Sequence, residues 1–249
     1  MTRPTISAIL ITRNEASNID RCLRSITWCD EIVVVDSEST DDTVERCRRY
    51  GARVVNRPFT GFGEQKNAAL ALAKGDWVFS IDADEVVTGE LRSSIERAVI
   101  ERTHDAFIVR RRFFFLSQRL EHGRGSVDML TRLVRRERGV FSNALVHEGL
   151  VANCPTGVLE GELEHYSYDT ISQVIEKFNR YTSLAATELR QNMSNRSIVA
   201  TFLRWPLYFL KFYMIHGHWR NGIHGFVWSV LSSWYTFIKV AKSRLGVEP

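Results

Sequence analysis

Apolar runs alternate with amphipathic stretches along the first third of the chain. Residues 5–12 (TISAILIT) are almost continuously apolar, the pattern of a strand covered on both faces. Ile19, Cys22, Leu23 and Ile26 then recur at helical spacing, behind Ser17 as cap and Asp20 as its capping-box partner. Residues 31–36 (EIVVVD) form a second apolar run that ends in a carboxylate. The polar turn 37–43 opens a helix with acids in its first turn, which runs to about Tyr50 with Gly51 at C′. Residues 52–56 predict a third strand, 64–73 a third helix stopped by Gly75, and 77–81 a fourth strand. Strands and helices in strict alternation predict an α/β fold with a mostly parallel central sheet and helices on both faces.

Beyond Ser93 the pattern changes. Residues 105–116 (DAFIVRRRFFFL) read as a strand with three arginines in its middle, 123–125 as a turn, and 128–136 and 139–145 as two shorter strands. Asp169 and Thr170 cap a helix over 171–192, whose apolar stripe is Val174, Phe178, Tyr181, Leu184 and Ala185. The domain boundary is therefore expected at 168/169, with a helical region over 169–249. Residues 201–249 hold four of the six tryptophans and six Lys or Arg against one acid. Residues 201–215 predict an aromatic helix kinked near Pro206. Residues 221–238 carry no charge, but their serines, Asn221, His224 and Thr236 make them marginal for the ~20 apolar residues of a spanning helix. Tryptophan, tyrosine and flanking cations instead suit helices lying at a membrane interface. A packed C-terminal helix pair or a dimer interface is the alternative.

Composition narrows the classes. The 44% hydrophobic and 25% charged fractions are those of a globular protein. A net charge of +4 is a mild excess, and no nucleic-acid partner is expected. Cys22, Cys29, Cys47 and Cys154 show no metal-ligand spacing and suit a reducing, cytoplasmic compartment. The apolar run 6–11 is too short, and too closely followed by charge, for a signal peptide. No G-x-G-x-x-G follows the first strand, and neither G-x-x-x-x-G-K-[ST] nor G-x-S-x-G occurs, which argues against a dinucleotide dehydrogenase, a P-loop NTPase and a nucleophile elbow.

The candidate chemistry lies at residues 77–85 (WVFSIDADE). Here a buried strand runs into Asp82, Asp84 and Glu85. Open α/β sheets bind ligands at the carboxyl ends of their strands, and carboxylates there suit Mg²⁺ held jointly with substrate phosphates. A solvated turn ahead of a helix is the bland alternative. Asp36, at the end of the second strand, is read as a ligand carboxylate, with an Asx turn as its alternative. Spacing alone favours an exposed surface position for Lys66.

Four motifs in order, ITRNEA, VVVDSESTDDT, EQKNAAL and WVFSIDADE, resemble those of the family 2 glycosyltransferases of the GT-A fold. One departure is Thr12-Arg13, where many relatives have a proline–aromatic pair. The resemblance implies a nucleotide-diphosphate sugar donor, with a UDP-sugar favoured. It implies that Thr12, Glu15, Asp36, Lys66, Asp82 and Ala83 line the donor, and that Asp84 and Asp82 hold Mg²⁺ or Mn²⁺ with His165 as a further ligand. Arg132-Leu133, His147-Glu148 and His165-Tyr166 are similar to pairs in the lipopolysaccharide-core β-glucosyltransferase branch. That likeness implies transfer of glucose to a lipid-linked or core-oligosaccharide acceptor, with Arg132 and His147 at the acceptor. Inverting transfer needs a carboxylate to take the acceptor hydroxyl proton, and Glu148 is its candidate. The arginines at 110–112, 132, 135, 136 and 138 suit an anionic acceptor. The expected place of work is the cytoplasmic face of the inner membrane, peripherally bound. Transfer to polyprenyl phosphate and a non-catalytic membrane adaptor are the alternatives.

Overall fold

The near-continuous apolar runs form the middle of the sheet, where both faces are covered. The computed structural model describes residues 3–142, 149–191 and 198–246. They fall into two units, Met1–Arg112 with Val127–His165, and Phe113–Ser126 with Tyr166–Pro249.

The first unit begins β1 (Ile6–Thr12), α1 (Ile19–Ser25), β2 (Glu31–Asp36), α2 (Thr43–Arg49), β3 (Arg53–Asn56), α3 (Phe62–Leu72), β4 (Trp77–Ser80). Strand β1 pairs in parallel with β2 and with β4, and β2 pairs in parallel with β3. Alternate side chains therefore feed two separate cores. Ile6, Ala8 and Leu10 pack with Val34, Trp77 and Phe79, while Ile9 packs with Val33, Val35, Val78, Ala69 and Leu70. The predicted cap of α1 differs in one detail: Asn18, not Ser17, is the N-cap residue, and the carbonyl of Glu15 accepts the first free N–H groups.

The chain continues through β5 (Glu85–Val87), α4 (Gly89–Glu101), β6 (Ala106–Phe115), β7 (Gln118–Arg119), β8 (Val127–Arg135), β9 (Gly139–Phe141), β10 (Leu150–Ala152) and β11 (Thr156–Tyr168). The sheet order is β3-β2-β1-β4-β8-β6-β11-β5, with β7 paired to the end of β6. Strand β8 is antiparallel to both β4 and β6, and β5 is antiparallel to β11. The thirteen residues of β11 are a strand that the hydrophobic pattern did not announce. Its inward positions are Gly157, Leu159, Gly161 and Leu163, so two of four inward side chains are absent and the apolar signal is halved. Gly161 has φ +82°, and a Cβ there would stand 2.3 Å from the backbone nitrogen of Leu91. The missing side chain is what lets the first turn of α4 lie against β11.

The second unit carries α5 (Ile171–Gln191), α6 (Ile198–Leu203), α7 (Trp205–Leu210) and α8 (Gly222–Leu245). Thr170 Oγ1 accepts the Gln173 N–H, as its capping role predicts. Pro206 sits in the first turn of α7, where its missing N–H costs no helical bond. Trp228 of α8 centres an aromatic cluster, with ring centroids 4.9 Å from Phe113 and 5.2 Å from Phe115. The buried face of α5 is Val174, Thr182 and Ala186; the predicted stripe residue Leu184 is instead 61% exposed. Threonine and alanine hold that face because close helix packing favours small side chains.

The polarity of α8 is inverted relative to an ordinary surface helix. Ser229 and Ser233 are fully buried, their hydroxyls donating to the carbonyls of Gly225 and Val230. Trp205 Nε1 donates to Ser233 Oγ at 2.9 Å. Leu203, Leu207, Ile215, Trp219 and Ile223 meanwhile stand more than half exposed. No helix among the described residues is long and apolar enough to cross a membrane.

Gly161→Ala places a side chain in left-handed backbone against α4. It should destabilise the protein by at least about 2 kcal/mol, read as a lower denaturant midpoint at unchanged slope. A midpoint equal to wild type would show that β11 and α4 can part at no cost.

Candidate active site

The strand order reverses between β1 and β4, which makes their carboxyl ends the switch point where an open sheet binds ligands. Three sets of side chains converge there within the first unit. Strands β1 and β2 end in register, Thr12 beside Asp36. Thr12 Oγ1 donates to Asp36 Oδ1 at 2.8 Å, and both residues are buried. Asp36 also accepts the Ser39 N–H and hydroxyl, at 2.8 and 2.6 Å. The Asx-turn geometry is therefore present, and it locks the loop that follows β2. Glu15 lies just beyond β1, its N–H donating to Thr43 Oγ1 and its Oε2 accepting from Asn18.

The turn after β4 is closed from both sides. The Glu85 N–H donates to the Asp82 carbonyl at 3.0 Å, and the Asp82 N–H donates to Glu85 Oε2 at 2.9 Å. Cations take up Asp82: Lys66 Nζ stands 3.0 Å from Oδ1, and Arg132 Nη2 2.8 Å from Oδ2. The same Arg132 nitrogen bonds Glu85 Oε1, which also meets Arg111 Nη1 at 3.3 Å. Arg111 Nη2 in turn bonds Asp128 at 2.7 Å. Three acids thus face three cations. Lys66 is only 8% exposed, which corrects the surface position that its spacing favoured. Burial in α3 against this acid is the reason.

Electrostatics follow from that packing. Burial pushes the Asp82 carboxyl up, but Arg132 and Lys66 together outweigh it and hold it well below the usual carboxylate range. Burial raises Glu85 above its ordinary value, with Arg132 opposing and Asp82 adding to the rise. Cys22 packs under the turn, its thiol donating to the Asp82 carbonyl; burial first, then Glu85, Asp84 and Asp82, keep it protonated.

Asp84 has a different neighbour. Its Oδ2 lies 3.2 Å from His165 Nε2, brought there because Glu85 of β5 pairs with His165 of β11. Ala83 between the two aspartates is buried. Among the described residues no group of three or more His, Cys, Asp or Glu side chains forms a closed metal cage. A carboxylate with one imidazole is a fitting donor set for a divalent ion that takes its remaining ligands from phosphate and water. The buried Nε of Arg132 has no acceptor among the described residues, which leaves a donor for an anionic oxygen. His147 and Glu148 lie outside the described residues. The residues flanking them, Ser142 and Gly149, are hydrogen bonded at 3.1 Å, and Phe141 is fixed by Asn67, the neighbour of Lys66.

Residues 7–147 match the family described as glycosyl transferase family 2. The chain belongs to that family. This glycosyltransferase is 30% identical over 247 residues to the lipopolysaccharide core biosynthesis glycosyltransferase LpsC of Rhizobium meliloti, covering 95% of this chain and 91% of LpsC. It is 32% identical to an uncharacterized glycosyltransferase of Rickettsia felis, covering 96% and 89%. Its fold is that of the mannosyltransferase PcManGT from Pyrobaculum calidifontis, a complex with GDP-Man and Mn²⁺, at a TM-score of 0.55 and 18% identity over 98% of this chain and 88% of that one. The expected GT-A architecture and family are thus found.

Sequence reasoning named Thr12, Asp36, Lys66, Asp82, Asp84, Arg132 and His165, and the fold gathers them at the ends of β1, β2 and β4. It placed Glu85 only among the acids of the strand end and Arg111 only among the arginines suited to an anionic acceptor, and gave neither a role at Asp82. The signal for Glu85 was its position three residues after Asp82, the spacing at which a side chain reaches back to a free N–H.

Proposed function

We propose that this glycosyltransferase moves glucose, with inversion, from a nucleotide-diphosphate sugar to an anionic lipopolysaccharide-core acceptor at the cytoplasmic face of the inner membrane. The observation that carries this is the division of labour within the Asp82–Asp84 turn. Both Asp82 oxygens are engaged by Lys66 and Arg132, while Asp84 stands beside His165. A divalent cation, Mg²⁺ or Mn²⁺, would be held by Asp84 and His165, with Asp82 nearby. It would neutralise charge on the departing nucleoside diphosphate. Thr12, Glu15 and Asp36 would hold the nucleoside end, and Lys66, Asp82 and Ala83 the sugar-diphosphate end. Arg132 would act on the donor side through its free Nε; Arg135, Arg136 and Arg138 lie at the opposite end of β4, beside Trp77, Gly75 and Asp105, which corrects the acceptor role expected of them. Glu148 would take the acceptor hydroxyl proton, with His147 at the acceptor. The relatedness to LpsC supports the acceptor class.

The second unit supports the membrane site. Residues 198–246 contain no acid, and exposed Arg204, Lys211 and Arg220 are interleaved with Leu203, Leu207, Ile215, Trp219 and Ile223. Buried serines on α8 and exposed leucines on α6 and α7 suit contact with lipid, where cations meet anionic headgroups and apolar side chains reach below them.

Asp84→Ala should leave the fold intact, abolish donor turnover, and remove the Mn²⁺ or Mg²⁺ dependence of nucleotide binding by calorimetry. Wild-type turnover in this variant, or in wild type with excess chelator, would refute the metal role. The wild-type chain should co-sediment with vesicles containing phosphatidylglycerol, and salt should weaken that binding without abolishing it. Leu207→Glu with Ile215→Glu should release the protein at unchanged thermal stability. A wild-type chain that stays in the supernatant at low salt would refute the membrane site.

A further inference from the structure

Glu85 is the most deeply buried acid of the turn, with no exposed surface, and it does not reach the crevice. Its two oxygens are used for different purposes. Oε2 accepts the Asp82 N–H and so fixes the backbone that carries both aspartates. Oε1 accepts from Arg132 and Arg111 and so fixes the guanidinium that covers Asp82. Strand β5 begins at this same residue and places it opposite His165 on β11. One side chain therefore ties together the backbone of the Asp82–Asp84 turn, Arg132, and the strand pairing that sets Asp84 beside His165.

We propose that Glu85 is the positioning residue of the donor site: it prebuilds the turn so that Asp84 and His165 are presented together, and it holds Arg132 at Asp82. The inference rests on the reading of Asp84 and His165 as the metal end of the donor site. A core acid kept only for stability would be replaceable by any neutral residue that fills the space. Glu85 is not replaceable in that way. Glutamine has the same shape but one acceptor oxygen. Its amide nitrogen must face either the Asp82 N–H or the Arg132 Nη2, a donor against a donor. In the first case the turn loosens; in the second Arg132 is pushed from Asp82. Either outcome reaches the donor site without removing an atom from it. Groups that orient metal ligands from behind typically account for roughly 10–100-fold in metal affinity.

The test is calorimetric titration of UDP with and without Mn²⁺ on wild type and on Glu85→Gln, with thermal unfolding of both apo proteins. The expected result is a folded variant whose Mn²⁺-dependent UDP affinity is lower by roughly 10–100-fold, while UDP binding without metal changes little. A merely structural role would lower the unfolding temperature and leave the Mn²⁺-dependent gain in UDP affinity untouched, and that result overturns the proposal. If Glu85→Gln does not fold, Glu85→Asp keeps the charge but is too short to serve both Asp82 and Arg132, and the same loss is expected. Failure of both variants to fold makes Glu85 a folding residue alone and also overturns it. Absence of Mn²⁺-dependent UDP binding in wild type would count against the metal reading itself, which separates the two failures.

Discussion

The site depends on how the chain neutralises acids at a buried strand end. An uncompensated buried carboxylate costs several kcal/mol, and a domain of this kind has only about 5–15 kcal/mol of net stability. Asp82 and Glu85 could not both persist at the end of β4 without partners. Lys66 from α3, Arg132 from β8 and Arg111 from β6 supply them, so three separate elements are recruited to one turn. A hydrophobic replacement for the pair would be at least as stable. The charges are better explained by what the turn does: it engages Asp82 inwardly and leaves Asp84 beside His165.

That arrangement explains why a mixed sheet is needed. The parallel strands β1 to β4 deliver Thr12, Asp36 and Asp82 to one edge by alternation alone. Arg132, Arg111 and His165 arrive from the strands that follow β4 in the sheet, β8, β6 and β11, while Lys66 comes from α3.

Much of this was legible in the residues. Strands β1 to β4 are short apolar runs bounded by turn residues, and their buried-on-both-faces pattern leaves little choice of fold. The acids at 36, 82 and 84 are visible because carboxylates directly after apolar strands are rare without a purpose. The pairing was not legible. Lys66 looks like a surface lysine because a helix of mixed residues does not reveal which side faces a distant acid. Arg132 looks like an acceptor group because its partners lie 50 and 47 residues away in sequence. Strand β11 was hidden because Gly157 and Gly161 occupy inward positions, and Asp36 was half-legible because one carboxylate can close an Asx turn and still sit at a ligand's edge. In the second unit the hydrophobic content was plain, but only packing could tell that the serines of α8 turn inward while leucines and isoleucines face out.

The central claim is that the turn offers a metal two ligands of different chemistry, the Asp84 carboxylate and the His165 imidazole, with phosphate completing the set. Pulsed electron paramagnetic resonance of the wild-type protein with Mn²⁺ and UDP reads this directly. The claim predicts spin-echo modulation from an imidazole nitrogen together with coupling to phosphorus, and loss of the nitrogen signal alone in His165→Ala. Phosphorus coupling with no nitrogen modulation in the wild type would contradict it.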